Sequence, residues 1–146
     1  SRGLGDVYKR QVHRDFHISN IMLNRKKIYL IDTQDLIYGN PAYDVASLID
    51  DVRFKISLRN REILYKKFIF KEKKNFSSKL RNDFEILSTL RNLKIIGIFT
   101  RLSKRDKKHK YLKLIPYAWK MIDERRKHNT RFEELNNFLS IYFQKI

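Results

Sequence analysis

Two short apolar runs, Ile21-Met22-Leu23 and Ile28-Tyr29-Leu30-Ile31, stand on either side of the polar tetrapeptide Asn24-Arg25-Lys26-Lys27. That pattern predicts a β-hairpin. Beyond it the apolar residues recur at helical rather than strand spacing, so the chain can hold one small sheet element and otherwise only helices. Asp44, after the turn Gly39-Asn40-Pro41, stands where an N-cap would open a helix through Ala46, Leu48 and Ile49. A second helix is expected over Arg61 to Phe70. A third, long one is capped by Ser77 or Ser78, carries Leu80, Phe84, Leu87 and Leu90, and runs to Leu102. Gly97 would allow close packing or a bend there. Pro116 suits the first turn of a helix with Trp119 and Ile122, and Phe132, Leu135, Phe138, Leu139 and Tyr142 make the apolar face of a last one. The expected class is α+β, mostly helical, in one domain.

Several function classes fall away on composition. The chain has 146 residues and no cysteine, which excludes disulfides, thiolate metal sites and cysteine nucleophiles together. No apolar run approaches the roughly 20 residues of a membrane helix. No apolar core of a signal peptide is present, so a cytoplasmic setting is expected. The net charge of +17 suggests a polyanion partner. Yet the basic residues, among them Arg53, Lys66, Lys79, Lys107 and Lys127, are spread over every segment, whereas a nucleic-acid footprint needs them on one face. Nucleic acid is therefore not the expected partner. The densest run, Lys104 to Lys110, is expected to be a solvated loop between helices.

The chemistry sits ahead of the hairpin. His13-Arg14-Asp15-Phe16-His17-Ile18-Ser19-Asn20 fits H-R-D-x-x-x-x-N, the catalytic loop of kinases. Phosphoryl transfer needs a carboxylate that orients the acceptor hydroxyl, here Asp15, and an oxygen ligand for the cation held by the triphosphate, here Asn20. His13 would brace the loop by a hydrogen bond to backbone. Asp32, at the end of the second strand, supplies a second hard oxygen ligand for magnesium. A competing reading makes His13, Asp15 and His17 a hydrolase metal triad, but the remaining histidines, His109 and His128, lie in charged segments with no ligand pattern.

The stretches HRDFHISNIML, IYLIDTQD and GNPAYDVASL together resemble the aminoglycoside-phosphotransferase family, a branch of the protein-kinase-like fold. The resemblance implies a C-terminal lobe of that fold over residues 12–146, with ATP and Mg2+ as cofactors. It makes Asp15 catalytic, with His13 in support, Asn20 and Asp32 the metal ligands that hold the nucleotide through magnesium, and Asp44 a buttress of the catalytic loop. Thr33-Gln34 stands where a protein kinase has Phe-Gly, which argues against a regulated activation segment. Within the family, IDTQD, GNPAYDVASLIDDVR and LRNLKIIGIFTRLSKRDKKHKYLKLIPYAW are similar to kinases acting on the anomeric hydroxyl of N-acetylmuramate or N-acetylglucosamine in peptidoglycan recycling. An amino sugar is thus the implied substrate. Thr33 replaces an expected aromatic residue there.

Gln34 and Asp35 could reach the sugar or cap a turn. Arg91, Asn92 and Lys94 could line the acceptor pocket or bind a substrate carboxylate, against the plainer reading of a solvated helix face. Asp50 and Asp51 are expected in surface pairs with Arg53 or Lys55, and Trp119 in the core. Ser1 to Gln11, SRGLGDVYKRQ, resembles a translated sequencing adapter, so the natural sequence is expected to begin near Val12. The glycine-rich loop and lysine of the N-terminal lobe have no candidate here, and the isolated chain is expected to be inactive. Other small acceptors (aminoglycoside, choline, homoserine), a noncatalytic scaffold and a basic nucleic-acid binder are the competing classes.

Overall fold

The computed structural model describes residues 10–71, 77–127 and 129–143, and the side chains of all of these except 77 and 78. Among the described residues four short strands and five α-helices follow one another: β1 (Arg10–Val12), β2 (Ile21–Asn24), β3 (Lys27–Leu30), β4 (Ile37–Gly39), α1 (Ala42–Ile49), α2 (Leu58–Lys71), α3 (Ser77–Asp106), α4 (Ile115–Arg126) and α5 (Glu133–Tyr142). A 3-10 turn, Ile18–Asn20, leads into β2. The chain divides into two compact units, Ser1–Arg91 and Asn92–Ile146, and the division falls inside α3.

In the first unit β2 and β3 form the expected hairpin, with Ile21 opposite Leu30 and Asn24 opposite Lys27. Only Arg25 and Lys26 remain for the turn, at φ 43° and 65°. A two-residue turn with both φ positive matches the natural twist of the strands, and Asn-Gly is its usual sequence. Arg-Lys adopts it at a cost, so the register comes from pairing rather than from turn chemistry. β1 and β4, by contrast, were not foreseen: Val12 lies opposite Ile37 and Arg10 opposite Gly39 in an antiparallel pair. Three-residue strands leave too little alternation to read. This pairing takes in Arg10 and Gln11 through backbone groups, which are indifferent to side-chain identity.

The core of this unit gathers Ala42, Ala46 and Ile49 of α1 with Phe84 of α3, and Val45, Leu64, Tyr65, Phe68 and Leu87 pack around them. The i, i+4, i+7 spacing of the α1 residues puts them on one stripe. Phe84 meets Tyr65 at a ring-centroid distance of 4.9 Å. Full burial of such a phenyl ring contributes about 2–3 kcal/mol. Asp44 does not cap α1. Asn40 does that work, its Oδ1 accepting the Ala42 N–H at 2.9 Å and its main-chain oxygen the Tyr43 N–H at 3.0 Å. The Asn40 amide in turn donates to Asp83 Oδ2 at 2.7 Å, tying the cap to α3.

In the second unit, Ile95, Phe99, Ala118, Met121, Ile122, Phe132 and Leu139 are buried. Phe99 stacks on Tyr111 at 5.0 Å, and Trp119, half-buried, tilts against Phe143 at 5.5 Å. Pro116 lies in the first turn of α4 as expected. Helix α3 runs four residues past Leu102, so within Lys104–Lys110 only Lys107 and Lys108 form the expected loop, between the helix end and a 3-10 turn. Gly97 serves no close packing: a β-carbon there would meet nothing within 4 Å. Among the described residues, no helix is long and apolar enough to cross a membrane.

Candidate active site

The loop from Val12 to Asn20 is held by a frame of hydrogen bonds that all lie in the first unit. Asp44, in the first turn of α1, accepts the His13 N–H on Oδ2 at 2.7 Å and the Arg14 N–H on Oδ1 at 3.0 Å. These two bonds fix Arg14, whose φ of 71° lies in the left-handed region. A non-glycine residue there costs about 1–2 kcal/mol, which the clamp must offset. The next residue is Asp15. Its side chain is exposed, while its main-chain oxygen accepts both the His17 N–H at 2.9 Å and the Asn20 Nδ2 at 3.0 Å.

The far side of the frame positions Asp32. Ile31 donates its N–H to the Asn20 oxygen at 3.1 Å, and the Ile31 oxygen pairs with His13 Nε2 at 2.9 Å. A carbonyl can only accept, so Nε2 is the donor in this bond. His13 thus makes the backbone bond expected of it. Held on both edges, Ile31 delivers Asp32 at φ 62°, the second strained position of the site. One left-handed residue directly precedes Asp15, and the other is Asp32 itself.

The donor set fits a hard cation. The Asn20 Nδ2 is committed to Asp15, which orients the amide and leaves Oδ1 as the atom free for a metal. Oxygen ligands from one amide and one carboxylate, with the remainder from phosphates and water, suit magnesium. Asn20 and Asp32 are the residues that would hold it. Among the described residues no three His, Cys, Asp or Glu side chains gather as a metal cluster.

Burial pushes the Asp44 carboxyl up from its ordinary value, against the pull of the two N–H donors. His17 is pushed down from 6.5, first by burial and then by the Arg53 guanidinium, with Asp51 and Asp15 opposing. The unfolded chain therefore takes up the His17 proton more readily than the folded one. This contribution to stability is complete above about 6.5 and is lost as pH falls through the lowered folded value. Asp44 acts in the opposite sense at lower pH, near the carboxylate range. Thermal melts of the chain between pH 7.5 and 5.5 should show falling stability, with a shallower fall in His17→Gln. An unchanged slope in that variant would remove His17 as the cause.

The other candidates fare differently. Gln34 and Asp35 are exposed on a turn closed by Leu36 N–H to Thr33 O at 3.4 Å, and their side chains bond to no other described residue. Lys94 is exposed and belongs to the second unit. Arg91 is no solvated helix residue, being only 5% exposed. Nor are Asp50 and Asp51 on the surface, at 1% and 2% exposed. Asp50 continues the Ala42–Ala46–Ile49 stripe, and that register is the signal that marks it as buried.

Residues 6–67 match the phosphotransferase enzyme family (APH). The chain carries a domain of that family. A protein of Neisseria meningitidis serogroup B is 33% identical over 135 residues, 87% of this chain and 39% of the relative. One of Pseudomonas aeruginosa is 30% identical over 139 residues, 88% of this chain and 40% of the relative. One of Caulobacter vibrioides is 27% identical over 116 residues, 76% of this chain and 32% of the relative. All three are named N-acetylmuramate/N-acetylglucosamine kinase. The chain spans 32–40% of the length of these curated relatives.

Proposed function

We propose that this chain supplies the catalytic loop and cation ligands of an ATP-dependent kinase acting on the anomeric hydroxyl of N-acetylmuramate or N-acetylglucosamine. Its place in the fold would be the C-terminal lobe, and its setting cell-wall sugar recycling in the cytoplasm. The observation that carries this reading is the hydrogen-bonded frame Asp44–His13/Arg14–Asp15–Asn20–Ile31–Asp32, which joins an exposed carboxylate to an amide oxygen left free for a cation. The kinase names of the relatives support the acceptor class.

In this proposal Asp15 orients the acceptor hydroxyl and takes its proton as the new oxygen–phosphorus bond forms. The bond between the γ-phosphorus and the bridging oxygen of ADP breaks at the same centre. Catalysis of this kind is positioning and electrostatics rather than covalent chemistry by the protein. The strained backbone at Arg14 and Asp32 is held before substrate arrives, so little reorganisation remains at the moment of transfer. A divalent cation on Asn20 and Asp32 would supply charge neutralisation for the triphosphate.

Turnover is best read in a chimera in which this chain replaces the matching segment of the Neisseria meningitidis relative. Phosphorus NMR with ATP, Mg2+ and N-acetylglucosamine should show a sugar 1-phosphate. A soluble, folded chimera that transfers no phosphate, or transfers it only to water, would defeat the proposal. The 146-residue chain alone carries no candidate glycine-rich phosphate loop, so its own turnover is expected to be negligible.

A further inference from the structure

We propose that Asp51 and Arg91 form a paired reader of an acetamido group on the acceptor, an inference that rests on the sugar-kinase reading above. Arg91 is 5% exposed, and its Nη1 is buried and unpartnered. Asp51 is 2% exposed. Its Oδ1 accepts the Arg53 N–H at 3.0 Å and lies 3.5 Å from Arg53 Nη1, while Oδ2 is buried and unpartnered. Buried polar groups of native proteins are nearly always bonded, and an unpaired charge is costly. Two such unpartnered atoms, an acceptor on Asp51 and a donor on Arg91, on neighbouring elements ask for a common occupant.

Geometry brings them together. Ser88 Oγ donates to Asp50 Oδ2 at 2.6 Å, which pins α3 to the end of α1. Arg91 lies three residues beyond Ser88 on the same face of α3, and Asp51 follows Asp50 directly. Arg91 is held below its ordinary value by burial, with Asp51 as the largest opposing influence. Asp51, Arg53, Asp15 and Arg91 all act on His17, so the pair shares one neighbourhood with the acceptor-orienting carboxylate.

The chemistry of the occupant follows from what each orphan needs. Asp51 Oδ2 needs a donor, and Arg91 Nη1 needs an acceptor. An ammonium would satisfy Asp51 but meet Arg91 and Arg53. A carboxylate would satisfy Arg91 but meet Asp51. A secondary amide is neutral and presents its N–H and C=O on opposite edges, which satisfies both. The pair would therefore select an N-acetylated sugar over the free amine and over the plain hydroxyl analogue.

The test titrates the folded 146-residue chain with N-acetylglucosamine, glucosamine and glucose, following amide shifts by NMR. N-acetylglucosamine should bind roughly tenfold or more tighter than either, the value of one charge-assisted bond made or missing. Asp51→Asn and Arg91→Gln should bring the three sugars to within about twofold. The wild-type comparison needs no variant, and Arg91→Lys, which keeps the buried cation but loses the fork, should weaken the preference if the other variants unfold. Equal affinity for the three sugars, absence of sugar binding, or a preference that survives in folded variants would overturn the inference. Broadening of the Asn20 and Asp32 signals by Mn2+-ATP, read in the same sample, separates the two readings. If it persists while the sugar preference is missing, the kinase reading stands and the reader falls; if both are missing, both fall.

Discussion

Asp15→Asn in the chimera should lower kcat by about 10²–10⁴-fold, the range seen when a positioned proton acceptor is lost. The nucleotide affinity should stay within about twofold. The structure explains why the loss is so selective. What holds the loop is the main-chain oxygen of residue 15, which takes the His17 N–H and the Asn20 amide, and an asparagine keeps that oxygen. The exposed side-chain carboxylate holds nothing else in place. A fall in kcat and kcat/KM together, with KM unmoved, would mark an interaction made in the transition state. A variant that keeps most of its turnover would take the proton-accepting role away from Asp15. Loss of nucleotide binding in step with turnover would show instead that the loop had collapsed.

The second large effect concerns folding. Asp50 is buried between Arg61 and Ser88, with Arg61 Nη2 at 3.0 Å from Oδ1 and the Ser88 hydroxyl at 2.6 Å from Oδ2. Arg61→Met strands that carboxylate in the protein interior, and breaking such a pair costs about 3–5 kcal/mol. Urea denaturation of the first unit should show the loss. The double variant Asp50→Asn with Arg61→Met should recover much of it, because no uncompensated charge then remains. As a control, Arg81→Ala removes an exposed i, i+4 pair with Glu85 at 3.2 Å and should cost under about 0.5 kcal/mol. Equal effects for Arg61 and Arg81 would mean that the buried pair is solvated in solution.

Much of the loop's layout was legible because a turn followed by a hairpin fixes its spacing. His13, Asp15, Asn20 and Asp32 stand at the intervals that a loop followed by a hairpin imposes, and the apolar runs around Asn24–Lys27 announce that hairpin. Asp44 was legible as a supporter of the loop but not in its manner. Sequence places it as a helix cap, whereas Asn40 caps and Asp44 turns back to two N–H groups 30 and 31 residues away. Contacts of that range leave no periodic trace. The β1–β4 pair was hidden for a related reason, since three residues cannot display alternation. Asp50, Asp51 and Arg91 were read as surface charges because charge is the default mark of exposure, and only the α1 stripe argues otherwise. The strained backbone at Arg14 and Asp32 was equally silent, as no glycine marks either position.

In the proposed site Asn20 and Asp32 hold one divalent cation beside Asp15. Paramagnetic Mn2+ added with ATP to the isotope-labelled chain tests it most directly. Strong broadening is expected at the Asn20 side-chain amide and the Asp32 backbone signal, with weaker broadening at Asp15, and it should be lost in Asp32→Ala at a Mn2+-ATP concentration that saturates the wild type. Broadening centred elsewhere on the chain, or unchanged at Asn20 in the Asp32→Ala variant, would contradict it.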